Sequence, residues 1–355
     1  MKTSNKKFLK KLDSLPVDKF FLKALYDNKY GYYSKKNPFG AKGDYITAPK
    51  ISNLFCEIIA IWLISTWEKF GKPKSFNIVE LGPGDGTLTK NLFKTFKKFP
   101  NFNNSKNLYL YEVSNFLKKK QKQNIKNEKV KWIENFNEIK KGPVIFFGNE
   151  FFDAIPIKQF KKLKDNFYEK YFTIDKNFKI HEKFKKISKK EMNIIKSFKT
   201  FNNLNFIEYP KIGLEELKKI IKKILLFKGG VLLIDYGYIK PNNQNTLQSV
   251  FKHKKNNILN NLGKADVTSH VNFSLLREFF LKNNLMVKKI VTQKEFLEKM
   301  GIIQRAEILS QKMRFREQSD FYLRLKRLLS PKLMGSLFKV ILAHNNKSKN
   351  FLGFK

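Results

Sequence analysis

From about residue 75 onward the chain alternates short, nearly continuous apolar runs with longer stretches whose apolar positions recur every three or four residues. The runs are 76-FNIVEL-81, 108-LYLYE-112, 129-KVKWI-133, 143-PVIFFGN-149, 230-GVLLIDYG-237, 285-LMVKKIV-291 and 336-SLFKVILAH-344. Runs of this kind, rich in β-branched and aromatic side chains, predict strands covered on both faces. Between them Leu88, Leu92, Phe93 and Phe96 form one helical stripe, and a second helix follows a cap at Ser114. A third, 211-KIGLEELKKIIKKILLF-227, ends at Gly229-Gly230, as helices do. Strand and helix in alternation predict a doubly wound, Rossmann-like α/β fold with a mostly parallel seven-stranded sheet.

Two regions depart from this rhythm. The piece 157-IKQFKKLKDNFYEKYFTIDKNFKIHEKF-184 alternates in the manner of strands and carries turn signals at Lys164-Asp165-Asn166 and Asp175-Lys176-Asn177. Residues 1–70 are mainly helical, with one Gly/Pro-rich loop, 37-NPFGAKGDYITAP-49, of a length that is more often functional than idle. The expected organisation is a helical cap over 1–70, a first core part over 71–156, an inserted antiparallel subdomain over 157–205 and a second core part over 206–355. The most apolar segment, 58-IIAIWLISTW-67, is bounded by Glu57 and Glu68 and reads as a buried helix too short to span a bilayer. The N-terminal stretch has no signal-peptide core, contains Asp13 and Asp18 and lacks Arg, so the expected location is cytoplasmic.

Composition changes the picture in two places. Lys and Arg number 72 against 30 Asp and Glu, a net charge of +42, which invites a nucleic-acid reading. Only six of the basic residues are Arg, however, and the Lys excess comes with abundant Asn, Ile and Phe, the signature of a drift toward AT-rich codons. Phosphate recognition favours the bidentate fork of Arg, so the charge is read as compositional and nucleic acid is not expected as a partner. Cys56 is alone and reads as a small core residue. His181, His253, His270 and His344 show no ligand spacing, and no metal is expected.

The chemistry starts at 78-IVELGPGDGTLTKNL-92, where Glu80 precedes Gly82, Gly84 and Gly86 at a strand-to-helix turn. Bare glycines let a ligand touch the backbone, and the helix start offers free N–H groups. The spacing E-x-G-x-G-x-G differs from the dinucleotide fingerprint and lacks the Lys-Ser/Thr of a phosphate loop. The next strand ends in Glu112, where a carboxylate can grip ribose hydroxyls. Together these features favour an adenosine-bearing ligand, and S-adenosyl-L-methionine over a dinucleotide. After the fourth strand comes 148-GNEFFDAIP-156, with Glu150 and Asp153 readable on one side of a short helical turn. Two readings stand: charge compensation at a helix start, or a grip on a cationic substrate beside the methyl donor.

These motifs, taken with 31-GYY-33, 38-PFGAKGDYITAPKISNLF-55, 149-NEFFDAIPIKQF-160, 246-TLQSVFKH-253, 263-GKADVTSHVNF-273 and 292-TQKEFLEKMGI-302, resemble the MidA-like methyltransferases. That family includes the mitochondrial complex I assembly factor that methylates arginine. The resemblance implies a class I methyltransferase fold, S-adenosyl-L-methionine as cofactor, and a protein substrate, possibly a respiratory complex I subunit. It places Glu80, Gly82, Gly84, Gly86, Glu112 and Asn149 at the cofactor, and Glu150, Asp153 and Asp44 as candidate catalytic acids. His253 and His270 fall in family-like blocks, either beside the acceptor or in the core. The chain departs from the family at Cys56, at Ser114-Asn115 and at Lys50, where an acid is usual. Two rival readings are a nucleic-acid methyltransferase and an assembly chaperone without activity; the first is disfavoured because the loop after strand four lacks a Pro-Pro-aromatic continuation. A dimer is compatible with the sequence.

Overall fold

The structure, a computed structural model, describes residues 14–34, 46–126, 128–176, 179–346 and 350–354. Its centre is a mixed sheet whose strands are the apolar runs. In chain order these are β1 (Phe76–Leu81), β2 (Lys106–Tyr111), β3 (Val130–Ile133), β4 (Val144–Asn149), β5 (Gly229–Tyr238), β6 (Met286–Val287) and β7 (Phe338–His344). Across the sheet they run β6-β7-β5-β4-β1-β2-β3. The five from β5 to β3 are parallel, and β7 is antiparallel to both of its neighbours. Two-residue strands at Val271–Asn272 and Val291–Thr292 bring the total to nine, so the expected seven-stranded sheet is larger and more mixed than the apolar runs indicate. The run at 285–291 splits into two pieces whose registers against β7 differ by one residue, although the Lys288 N–H between them still bonds the Leu342 carbonyl at 2.9 Å.

Each central strand feeds two cores, which is why these runs carry apolar side chains on both faces. Phe76 and Ile78 of β1, Ile145 and Phe147 of β4, and Leu232 and Ile234 of β5 face one core. Val79 and Leu81, Val144 and Phe146, and Val231 and Leu233 face the other. The helices that matter for the site are α1 (Val17–Tyr26), α2 (Asn53–Lys69), α3 (Thr87–Phe96), α4 (Asn115–Asn124), α5 (Lys211–Phe227), α6 (Phe273–Lys282) and α7 (Phe315–Leu329). α2 and α3 pack on the first face, α5 and α6 on the second. Cys56 sits in the first core with its thiol pushed up to about 12 by burial. The sheet order reverses between β1 and β4, so a crevice opens there beyond the carboxyl ends of the strands.

The alternating region after β4 forms a separate antiparallel sheet of Lys158–Leu163, Asn166–Ile174 and Ile180–Lys186. It also takes in Phe206–Tyr209 and Leu15–Pro16 from outside 157–205. Ile207 and Phe160, buried across the seam, account for the first addition. A third small sheet, Gln248–Phe251, Lys254–Asn256 and Asp266–Thr268, has no counterpart in the expected elements. Its strands are short and polar, which hides their period.

Candidate active site

The crevice is an open cleft with about 830 Å³ of empty space counted out to its mouth. Its floor is the glycine turn after β1. Gly82, Gly84 and Gly86 all have positive φ, at 60°, 56° and 82°. A Cβ on Gly82 would lie 2.8 Å from Cδ2 of Phe151 and one on Gly86 2.8 Å from Cδ1 of Ile125, and the left-handed backbone at both makes any side chain there strained. Asp85, between them, caps α3 by accepting from the Thr87 N–H at 3.2 Å and the Thr87 hydroxyl at 2.6 Å. Lys50 reaches across to the same carboxylate at 2.5 Å. Burial pushes the Asp85 pKa up, but the bonds from Lys50 and Thr87 outweigh it and hold the group below its usual value. The charge reversal at Lys50 therefore tethers the segment from Thr47 to the glycine turn.

Glu80 lies beneath the turn, bonded to the Thr89 hydroxyl, and burial lifts its pKa to about 7. Glu112, beyond the end of β2, accepts from the Ser114 N–H at 2.8 Å and from Gln121 Nε2 at 3.2 Å. Burial raises it too to about 7, against the pull of those donors. Gln121, fully buried in α4, also donates to the Gly84 carbonyl at 2.8 Å and accepts from the Trp132 indole at 2.8 Å. One turn on, Asn124 donates to the Asp85 carbonyl at 2.8 Å. α4 thus locks the glycine turn to Glu112. Tyr26 and Tyr33, stacked at 5.4 Å, wall this half together with Val113 and Leu117.

The opposite half is built at the end of β4. Glu150 holds a left-handed backbone, φ 53°, pinned by its N–H to the Ile234 carbonyl at 2.9 Å. A strained residue of this kind at a strand end is typical of sites where geometry serves function. Its carboxyl accepts from the Ala48 N–H at 3.2 Å and from Asn149 Nδ2 at 3.0 Å. Burial and the neighbouring Asp153 lift its pKa to about 8. Asp153, itself buried, is raised to about 6 by desolvation against the Tyr236 hydroxyl. Its Oδ1, like Oδ1 of Asn149, is buried without a hydrogen-bond partner.

The two acids do not sit on a helical turn. The segment from Glu150 to Asp153 is an irregular turn clamped by Asp235 from β5. Oδ2 of Asp235 accepts from the Phe152 and Asp153 N–H groups at 2.8 and 3.2 Å, while Oδ1 takes the Tyr236 N–H at 2.9 Å. A carboxylate able to take these orphan donors removes any need for a helix.

The cleft gathers Glu80, Gly82, Gly84, Glu112, Asn149 and Glu150 on its lining; Gly86 shapes the turn and Asp153 stands behind Glu150. Asp44 lies outside the described residues. His253 is at an exposed hairpin turn, and His270 packs edge-on against Tyr236, with ring centroids 5.4 Å apart. Asp235 and Gln121 are structural keys that sequence reasoning passed over. An acid at the end of a wholly apolar strand was the available signal for Asp235; Gln121, one polar residue in a polar helix, offered none.

The residues suit an S-adenosyl group. A turn with glycine at alternate positions, the Glu112 carboxyl held by fixed donors and an unpartnered amide oxygen all converge on one cleft. A family model described as "Putative S-adenosyl-L-methionine-dependent methyltransferase" matches residues 58–291. The chain is 28% identical to protein arginine methyltransferase NDUFAF7, mitochondrial, of Xenopus laevis, over 98% of this chain and 85% of that protein. It is 30% identical to the Caenorhabditis elegans homolog, over 82% of this chain and 73% of the relative. Among solved structures, a Burkholderia thailandensis protein bound to S-adenosyl-homocysteine superposes with a TM-score of 0.82 at 20% identity, covering 99% of this chain and 92% of that one, a likeness of fold. The relatives are named as mitochondrial, which overturns the expected cytoplasmic location. That expectation rested on an N-terminal stretch without an address signature, and the first thirteen residues lie outside the described ones. With its family model covering most of the chain and its relatives matched nearly end to end, this chain belongs to the S-adenosyl-L-methionine-dependent methyltransferase family.

Proposed function

We propose that this methyltransferase modifies a protein arginine on a subunit or assembly intermediate of respiratory complex I. The observation that carries the reading is Glu150, desolvated at the cleft wall with Asp153 behind it and facing the glycine turn and Glu112 across one cleft. The names of the curated relatives support the arginine acceptor. Complex I enters through the family resemblance alone. The same reading divides the chain into a helical cap over 1–70, core parts over 71–156 and 206–355, and an inserted subdomain over 157–205.

When bound, S-adenosyl-L-methionine supplies an activated methyl on a sulfonium. Glu112 is the acid for the ribose hydroxyls, with Glu80 and the glycine turn beneath and Asn149 Oδ1 available as an acceptor. A guanidinium stays protonated at ordinary pH, so its nitrogen has to shed a proton as the N–C bond forms and the C–S bond breaks. Glu150 takes that proton. A guanidinium brought beside it lowers its pKa, so the substrate itself generates the carboxylate that receives the proton. Asp153 adds negative potential from behind, and Asp44 stays a third candidate by resemblance. Rate comes from positioning and desolvation, because the donor is already activated.

The test is transfer of radiolabel from the methyl donor to a cell lysate by the purified protein. The expected label is released by protease and recovered as methylarginine after hydrolysis. Label released by nuclease would overturn the reading in favour of a nucleic-acid acceptor, and absence of any label would favour an assembly chaperone.

A further inference from the structure

Arginine is distributed unevenly in this chain. Five of the six arginines lie between Arg305 and Arg327, a stretch that holds only two lysines, Lys312 and Lys326, whereas the basic residues elsewhere are almost all lysine. A drift that converts dispensable basic positions to lysine leaves arginine where the guanidinium itself matters, because its fork binds a carboxylate bidentately. Arg305 is spent inside the fold, bonding Glu57 through Nε at 3.1 Å and Nη2 at 2.7 Å. Arg314 pairs with Glu317 at the start of α7. Arg316, Arg324 and Arg327 are exposed and, among the described residues, form no ion pair with a carboxylate.

α7 is amphipathic. Leu325, Leu328 and Leu329 are buried in the first core. Its outer side carries Arg316, Asp320, Leu323 and Arg327 at helical spacing, with Arg324 beside them. Leu323 is 61% exposed, and Phe315 and Tyr322, at 87% and 42%, flank the stripe. Arginine around exposed aromatic and aliphatic side chains is the composition of a protein-binding patch. The face also adjoins the cleft: α7 packs against Ala48–Ile51, the segment whose Ala48 N–H holds Glu150, and the Arg327 charge is felt at Glu150. From Arg316 to Arg327 the stripe runs roughly 16 Å, the reach of about five residues of extended chain.

We propose that this face of α7 docks an acidic segment of the protein substrate lying next to its target arginine. The proposal rests on the protein-arginine reading above and adds what flanks the arginine: Asp or Glu side chains for Arg316, Arg324 and Arg327, with an apolar residue over Leu323. The acid-lined cleft receives the cationic arginine while the basic helix receives its acidic neighbours, so a substrate with alternating charge binds in one register.

The experiment measures fluorescence anisotropy with two labelled arginine-containing peptides, alike except that one carries four acidic residues beside the arginine and the other their amides. Wild-type protein is expected to bind the acidic peptide about tenfold more tightly. Arg316→Gln/Arg324→Gln should lose most of that margin, and Arg316→Lys/Arg324→Lys should keep part of it. A control that removes the same charge from α5, Lys218→Gln/Lys222→Gln, should keep it within about twofold. Matched thermal midpoints establish that the variants are folded. An equal loss in the lysine control, or a margin that survives in the arginine variant, would overturn the proposal. So would a single-stranded RNA oligonucleotide that binds more tightly than the acidic peptide and is released by the arginine variant. Because anisotropy reads docking without methyl transfer, failure to methylate either peptide counts against the arginine acceptor and not against this surface.

Discussion

The two halves of the cleft bury carboxyls to a similar depth and treat them in opposite ways. On the side proposed for the cofactor, Glu80 has the Thr89 hydroxyl, and Glu112 has the Ser114 N–H and the Gln121 amide. On the side proposed for the acceptor, Glu150 and Asp235 also have fixed donors, but Asp153 raises Glu150, Asp153 and Glu150 together raise Asp235, and Asp153 Oδ1 has no hydrogen-bond partner. Acids answered by fixed neutral donors alone are rigid acceptors suited to neutral hydroxyls, whereas three carboxyls crowded together around an orphan oxygen are left in want of a cation. Burial alone does not assign a role; the partners of the buried group do.

The largest test of this contrast is Glu150→Gln, which keeps shape and removes the proton acceptor. We expect turnover to fall about 10²- to 10⁴-fold, with S-adenosyl-homocysteine binding by calorimetry unchanged within about twofold. Wild-type turnover would remove Glu150 from catalysis, and a parallel loss of binding would erase the distinction between the halves. Glu112→Ala should do the converse, weakening cofactor binding by about 1.5–3 kcal/mol, the value of hydrogen bonds to a charged group. Unchanged calorimetric affinity would take Glu112 off the ribose. Gln121→Leu is expected to cost less, about tenfold in cofactor affinity, because it frees Glu112 and the Gly84 carbonyl without deleting either. A Gln121 variant with normal affinity would mean that the glycine turn holds its shape unaided.

How much of this was visible in the sequence follows the same divide. β1 and α5 run over the residues their patterns indicate, since a strand feeding two cores is apolar on both faces and a helix on one core shows its period. The glycine turn was legible because positive φ selects glycine. The acceptor half was legible in composition and not in geometry. Glu150 and Asp153 stand out by type, but their irregular turn depends on Asp235, eighty-two residues beyond Asp153 and locally indistinct within an apolar strand. Long-range polar clamps leave no local period to read. The nine-stranded count was hidden for a related reason: two-residue strands such as Val271–Asn272 form only because β5 already offers them an edge.

The smallest expected effect separates the halves without any ligand. A carboxyl whose folded pKa lies above its unfolded value keeps a proton that the unfolded chain has lost, so its contribution to stability is full below the unfolded pKa and disappears as pH rises through the folded one. Glu80 and Glu112, raised to about 7, spend most of that contribution by neutral pH. Asp153, at about 6, has spent it earlier, while Glu150, at about 8, is still losing it. His270 and His344, whose pKa values burial lowers, act with the opposite sign and have finished by then, because their contribution grows only up to the ordinary histidine range. Between about pH 7 and pH 8.5, then, Glu150 is the largest contributor still titrating, with a smaller remainder from Glu80 and Glu112, and the thermal midpoint should fall by the equivalent of about 1–2 kcal/mol. Glu150→Gln should flatten that slope, and Glu112→Gln should leave most of it. Calorimetric scans of the three proteins at both pH values decide the matter: equal slopes in wild type and Glu150→Gln would place the titrating group elsewhere and dissolve the contrast between a satisfied half and a crowded one.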